Sequence, residues 1–328
     1  MIEKIANLSA LERNAIFIEA SSQYKINAEM IEKDFWVCWT LNRIFINENL
    51  SKILCFKGGT SLSKVFNLIE RFSEDIDLIL DWNTISEGKE IVKNSKNQQD
   101  KRNKELLSSS QEYIKAILQP LIQEACGDTC IVEIDINDPN TLQVKYPKSV
   151  SGSYLRPFIK LEIGALAAWL PNQNHSIKPY INNLNEKLIF EDIIVPTITA
   201  ERTFWEKATI LHKEHYRTSG NPDRYSRHYY DLYKMANSKI KQSSFQQKDL
   251  LTEVVEFKKT FYPSGWANYD KAKLGTLKLM PSALAVSYLE KDYAKMHEMI
   301  FGDYPSFDTI MSFLEALETE INNLEKEQ

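Results

Sequence analysis

The stretch FKGGTSLSKVFNLIERFSEDIDLIL, residues 56–80, decides the fold. Gly58 and Gly59 close the short apolar run KILCF, which has the length of a strand, and helical periodicity resumes in TSLSKVFNLIERF. Beyond it DIDLIL alternates, with Asp75, Asp77 and Ile79 facing one way and Ile76, Leu78 and Leu80 the other. A strand, a Gly-Gly turn and a helix leave backbone N–H groups open at a helix N-terminus, where a phosphate can settle close to the glycine backbone. Thr60 and Ser61 can add hydroxyl hydrogen bonds. Alone, Gly-Gly before a helix is more often just a turn. The aspartates alter that reading, because strands deplete aspartate and two of them open this otherwise apolar strand. They project from one face, near enough to share a divalent ion. The competing reading is a solvated strand edge. Turn and aspartates together predict a site for a nucleotide carrying Mg²⁺, an ion that prefers carboxylate and phosphate oxygens.

A third carboxylate is available in RPFIKLEIGA, where Arg156, Phe158, Lys160 and Glu162 share one face of a predicted strand. Without the aspartates this would read as a solvated outer face. Beside them, Glu162 is the candidate third metal ligand, and Lys160 a charge that orients it or touches phosphate.

The chain has 328 residues, enough for two domains. A hydrophobic share of 43% and a charged share of 26% describe an ordinary soluble globular protein. No apolar run has membrane-spanning length, and the N-terminus lacks a signal-peptide core. Cys38, Cys55, Cys126 and Cys130 include no CxxC pair, so a reduced, cytoplasmic protein is expected. The net charge of -5 argues against general DNA coating. Two helical patterns fill the first fifty residues, and a long polar helix interrupted at Pro120 follows the alternating strand. TCIVEIDI, TLQVKY and RPFIKLEIGA read as strands; from about residue 199 the pattern is helical nearly to the end. This predicts an α+β protein: N-terminal helices over 1–50, a mixed sheet with flanking helices over 51–196, and a helical C-terminal domain over 197–328. Pro196 and an N-capping Thr199 mark the boundary.

The GG turn, the DxD pair and the later acid resemble the minimal nucleotidyltransferase signature. With IEKDFWVCWTL (31–41), IKLEIGA, ERTFWEKATILH (201–212) and RHYYDLYK (227–234), the sequence is similar to the AbiEii/AbiGii toxin family of nucleotidyltransferases over roughly residues 30–322. The resemblance implies a nucleotidyltransferase fold, an NTP substrate and Mg²⁺, and a cognate antitoxin as partner in a toxin–antitoxin or phage-defence system. Carried over residue by residue, it matches Gly59 and Thr60 to the phosphate turn, Asp75 and Asp77 to the metal ligands, and Lys160 and Glu162 to the second motif; Lys57, Gly58 and Ser61 beside the turn are further nucleotide-binding candidates, and Glu162 the candidate third ligand. It also implies Lys160 beside the nucleotide, with Lys207 and Asp231 in the third and fourth motifs. It further marks Arg71, Ser73, Lys33 and Asp34. Many relatives have an aspartate where this chain has His228, which leaves Asp231 as the acid of that motif. Chemically, Lys207 can steady a leaving pyrophosphate, and Asp231 can orient or deprotonate the attacking hydroxyl. The plainer readings are an exposed helix charge for Lys207 and an i, i+3 partner of Lys234 for Asp231.

Between residues 202 and 234, basic side chains that include Arg224 and Arg227 alternate with Tyr216, Tyr225, Tyr229, Tyr230 and Tyr233. Such a mixture suits unpaired RNA, with tRNA the leading acceptor, although tyrosines at this spacing are often helix core. His212 and His215 have no third ligand nearby to make a zinc site. Two other functions remain open: a transferase that modifies a protein, and a nucleotide- or RNA-binding module without turnover.

Overall fold

Local capping signals set the first helices. A short helix α1 (Ile2–Ala6) precedes α2 (Ala10–Tyr24), which opens with a capping box between Ser9 and Glu12, and α3 (Ala28–Ile46), capped by Asn27. The computed structural model describes residues 1–152, 155–218 and 222–325. It divides the chain into two units, Met1–Val65 with Ser73–Ile198, and Phe66–Phe72 with Thr199–Gln328.

In the first unit α4 (Glu48–Ser51), β1 (Leu54–Lys57), α5 (Gly58–Lys64) and β2 (Ile76–Leu80) follow α3. Next come α6 (Lys96–Tyr113) and α7 (Gln119–Cys126), joined through a π turn over Ile114–Leu118. The turn resets the helix just before Pro120, which then stands at the start of α7, where a missing N–H is harmless. The strands β3 (Ile131–Ile134), β4 (Thr141–Lys145), β5 (Phe158–Gly164), β6 (Asn172–Ile177) and β7 (Ile193–Ile198) complete a sheet. Among the described residues it has seven strands in the order β3-β4-β5-β2-β1-β7-β6. Pairing is parallel between β2 and β5 and between β1 and β7, and antiparallel elsewhere. The protein is thus α+β with a mixed sheet, as its sequence predicts.

One face of the sheet is apolar. Ile76 and Leu78 of β2 and Ile159, Leu161 and Ile163 of β5 are buried, and α3 packs against β5 and β7. Around α3, Phe35, Trp36 and Trp39 make edge-to-face contacts 5.2 and 5.5 Å apart, and Tyr146 stacks on Trp36 at 5.6 Å. Each ring buries about 150–250 Å², worth roughly 4–6 kcal/mol as an upper bound. The other face carries the polar members of the same alternation, Asp77, Lys160 and Glu162 among them.

Three features depart from the sequence reading. Strands β6 and β7 are not among the strands the sequence announces, and Pro196, read as a boundary signal, lies inside β7, paired in register with Asn174. The helix after the glycines stops at Lys64 and does not run on through residue 72. Phe66–Phe72 instead belongs to the second unit, with Phe72 N–H donating to Met299 O at 2.7 Å and Phe301 N–H to Glu70 O at 2.9 Å.

The second unit contains α8 (Ala200–His215), with Thr199 as its N-cap, α9 (Ser226–Ala236), α10 (Ile240–Gln246), α11 (Asp249–Phe261), α12 (Ala283–Lys295) and α13 (Phe307–Asn323). Helix α8 packs on α9, α10 and α11, while α12 and α13 pack on α9. Ile310, Leu314, Leu317 and Ile321 bury one stripe of α13, and the half-buried Phe313 meets Tyr233 edge-on. Among the described residues no helix is long and apolar enough to cross a membrane.

Candidate active site

Strand register creates a row of charged residues across three neighbouring strands. Lys57 of β1 stands opposite Asp77 of β2, and Asp77 stands beside Glu162 of β5. Registered partners on adjacent strands point to the same face, so Lys57, Asp77 and Glu162 line up. Lys160 lies two residues before Glu162 on β5, hence on the same face, and Asp75, just before β2, feels the charges of Glu162 and Lys160. Lys160 Nζ is 3.7 Å from a Glu162 carboxylate oxygen. Burial pushes the Asp75 carboxyl up, and the carboxylates of Glu74 and Glu162 add to the rise, while Lys160 and Lys33 pull it down. Acids that raise one another in this way are well placed to gain a cation.

The glycine turn is built against this row. Gly58 has φ +85°, and a Cβ there would fall 1.8 Å from Asp77 Oδ2, so any other residue would displace that carboxylate. Helix α5 starts at Gly58 without a side-chain cap. Thr60 and Ser61 are committed within the protein. Thr60 Oγ1 donates to the Asp75 carbonyl and lies 2.9 Å from Ser73 Oγ, and Ser61 Oγ donates to Gly58 O at 2.8 Å. With both residues fully buried, their hydroxyls fix the turn and the start of β2. The backbone of Gly58 and Gly59 is then the part of the turn suited to phosphate.

Mg²⁺ fits the donor chemistry of this face. Asp75, Asp77 and Glu162 offer hard carboxylate oxygens. Among the described residues no three His, Cys, Asp or Glu side chains form a ready metal cage. Mg²⁺ is ordinarily held by one or two carboxylates together with substrate phosphates, so a complete protein cage is not required.

A second charged cluster lies inside the second unit. Arg71 grips Asp231 with two bonds, Nε to Oδ1 at 2.7 Å and an Nη to Oδ2 at 2.9 Å. Lys207 Nζ donates to Asp231 Oδ2 at 2.7 Å and sits 3.1 Å from His228 Nδ1. All four side chains are buried. Burial alone would push the Asp231 carboxyl up, but Arg71 and Lys207 outweigh it and hold it far below the usual carboxylate range. A carboxylate held by two cations is a poor proton acceptor, and here it ties Arg71 and Lys207 to one point. Burial lowers the Lys207 pKa from its ordinary value, and the Asp231 carboxylate works against that fall. The Lys207 ammonium has three protons, of which Asp231 and His228 take two.

Burial, then the charges of Lys207 and Arg227, drive the His228 pKa well below its ordinary value, so the ring is neutral and accepts from Lys207. His228 is thus a neutral acceptor inside a cluster of charges. Because the folded pKa is depressed, the unfolded chain binds a proton below about pH 6.5 that the folded chain refuses. Stability therefore falls on acidification by up to about 1.4 kcal/mol per pH unit for such a histidine. His212, lowered chiefly by burial, acts in the same direction. Denaturant midpoints measured from pH 7 to 5 should drop in the wild type and drop less steeply in His228→Gln. An identical slope would mean that His228 does take the proton when folded.

The structure separates the remaining sequence candidates. Arg224 and Arg227 are exposed, as an RNA contact requires, but Tyr229 and Tyr230 are 1% and 0% exposed and belong to the core, where no base can stack on them. Arg202 pairs with Glu206 and Glu253, Arg217 with Glu214, and Lys234 with Glu70. His212 Nε2 lies 3.1 Å from Asn268 O while its Nδ1 accepts from Lys278 N–H at 3.0 Å, and His215 Nδ1 lies 2.8 Å from Met280 O. Both histidines tie down loops. Sequence reasoning passed over Glu32, Glu74 and Lys64, although charged residues inside the apolar run MIEKDFWVCW were a signal for the first.

A glycine turn set against paired acids on a mixed sheet is the equipment of an enzyme that handles a nucleoside triphosphate, and the class it defines is the nucleotidyltransferases. Residues 39–316 match the family described as "Nucleotidyl transferase AbiEii toxin, Type IV TA system", and the chain belongs to that family. It is accordingly a nucleotidyltransferase of a toxin–antitoxin system, with an NTP as substrate and an antitoxin as partner. Among solved structures, JHP933 from Helicobacter pylori is 13% identical over 92% of this chain and 96% of its own, with a TM-score of 0.45. MenT4, a nucleotidyltransferase toxin from Mycobacterium tuberculosis H37Rv, is 15% identical over 97% and 98%, also at 0.45. No curated protein matches the chain.

Proposed function

We infer that the protein transfers a nucleoside monophosphate from an NTP to a hydroxyl of an RNA, tRNA being the leading acceptor, and that it does so with Mg²⁺ in the cytoplasm. The observation that carries this reading is the row of Lys57, Asp77 and Glu162 with Gly58 packed on the Asp77 carboxylate. Asp75, Asp77 and Glu162 would hold the ion, which when bound neutralises triphosphate charge and lowers the pKa of an acceptor hydroxyl. The backbone at Gly58 and Gly59 receives a phosphate, and Lys57 and Lys160 supply positive charge beside it. Within the second unit, Lys207 and Arg71 form a cationic pair of the kind that suits a phosphate, and Asp231 keeps them oriented. Arg224 and Arg227 offer exposed positive charge to an RNA backbone. Four buried free thiols suit a reducing compartment.

The test incubates the purified protein with Mg²⁺, each α-labelled NTP in turn and total cellular RNA, beside Asp75→Ala/Asp77→Ala. Label entering a tRNA-sized band only with intact aspartates supports the full reading and names the nucleotide. Label entering protein keeps the chemistry and discards the RNA acceptor. If RNA is the acceptor, Arg224→Glu/Arg227→Glu should weaken RNA binding by tenfold or more at about 0.1 M salt; unaltered binding removes that patch.

A further inference from the structure

Glu32, Lys33 and Asp34 are consecutive residues of α3 and are 0%, 1% and 3% exposed. Charged side chains almost never lie so deep unless paired. Neighbouring residues of a helix point about 100° apart, and these three reach three separate parts of the first unit. Glu32 accepts from Ser149 N–H at 2.6 Å, Ser149 Oγ at 2.7 Å and Val150 N–H at 3.1 Å, all in the connection from β4 to β5. Lys33 donates to Glu74 at 2.6 Å and to Arg156 O at 3.0 Å. Asp34 pairs with Lys64 at 2.6 Å and accepts from Tyr180 N–H at 2.6 Å.

Several of those partners adjoin the acidic row along the chain. Glu74 immediately precedes Asp75. Arg156 leads into β5, which carries Lys160 and Glu162, and Lys64 is the last residue of α5, whose first residue packs on Asp77. We propose that Glu32, Lys33 and Asp34 are the positioning residues of the transfer site. Lys33 sets Asp75 through Glu74, Glu32 sets the approach to β5, and Asp34 sets the glycine turn through Lys64. None of the three touches substrate; each acts through the residue it holds.

An ion pair that only stabilises can be replaced by a neutral pair of similar shape, and function returns with the fold. A positioning pair cannot. The test is Lys33→Met/Glu74→Gln, followed by melting temperature and by binding of a fluorescent NTP analogue over a series of Mg²⁺ concentrations. The expected result is cooperative unfolding close to wild type, with at least tenfold more Mg²⁺ needed for half-maximal binding. A restored fold with an unchanged Mg²⁺ requirement overturns the proposal. If the double variant does not fold, Glu74→Ala alone carries the test, since it removes the bond from Lys33 and leaves Lys33 donating to Arg156 O. An unchanged Mg²⁺ requirement there overturns the proposal equally. The proposal rests on Asp75, Asp77 and Glu162 being the metal-bearing face, so Asp77→Asn is measured alongside. If that variant also binds nucleotide with an unchanged Mg²⁺ requirement, it is the metal assignment that has failed.

Discussion

Asp77→Asn should reduce nucleotide transfer by about 10²–10³-fold or more while leaving the melting temperature within a few degrees of wild type. The substitution keeps the side chain's shape and takes away its charge. Asp77 is the middle member of the row, with Lys57 on one side, Glu162 on the other and Gly58 packed on its carboxylate. Asparagine fits the same space, so the fold has no reason to change. The electrostatic reason for gathering acids at this point disappears, and with it the attraction for a metal-bound triphosphate. Two readouts check this: transfer of label from an α-labelled NTP, and growth on expression in cells lacking the antitoxin. Near-normal transfer by Asp77→Asn would sink the assignment of the acidic row as the catalytic face.

Asp231→Asn is expected to do two things at once. Transfer should be lost, and stability should fall by about 3–5 kcal/mol, because Arg71 and Lys207 would remain buried without their carboxylate. Were Asp231 a general base, the same change would slow transfer and leave denaturant midpoints in place. Denaturation and single-turnover rates on one preparation therefore distinguish an anchor from a base. The pH profile adds a separate criterion. The depressed carboxyl contributes stability that is complete above the ordinary carboxylate range and is lost only as pH falls toward its lowered folded value. No limb of the rate profile between pH 5 and 8 should belong to Asp231. A rate limb in that range that vanishes in Asp231→Asn, with stability unmoved, would restore the general-base role.

The parts of this site that are local in sequence could be read from it. DIDLIL declares a strand with two acids on one face, and the burial of β5 alternates as RPFIKLEIGA requires. The glycines announce a turn, and the positive φ of Gly58 is the physical reason one of them is there. What could not be read depends on distant partners. VFNLIERF has helical spacing, yet Arg71 is matched to Asp231, 160 residues away, and Glu70 to Lys234. Tyr229 and Tyr230 sit between Arg227 and Lys234 in sequence and inside the core in space. Strand β6, with the sequence NQNHSI, is polar and lies at the sheet edge, so no hydrophobic alternation betrays it. Lys207 and Asp231 were legible only through family resemblance, since the ion pair that defines them joins separate helices.

The short segment Phe66–Phe72 sits between the glycine turn and Asp75 in the chain, but it is built into the second unit. The chain therefore crosses between its two parts three times, twice inside the stretch that runs from the glycine turn to Asp77. A gene fragment ending near residue 198 would encode the whole sheet and still strand Ile69, Arg71 and Phe72, buried residues whose companions come from the other half. Recombination at that point would not yield a portable cassette, because the segments of the two units alternate along the gene. New versions of this toxin should accordingly arise by substitutions spread along one inherited chain, with the helical half and the seven residues it claims changing together.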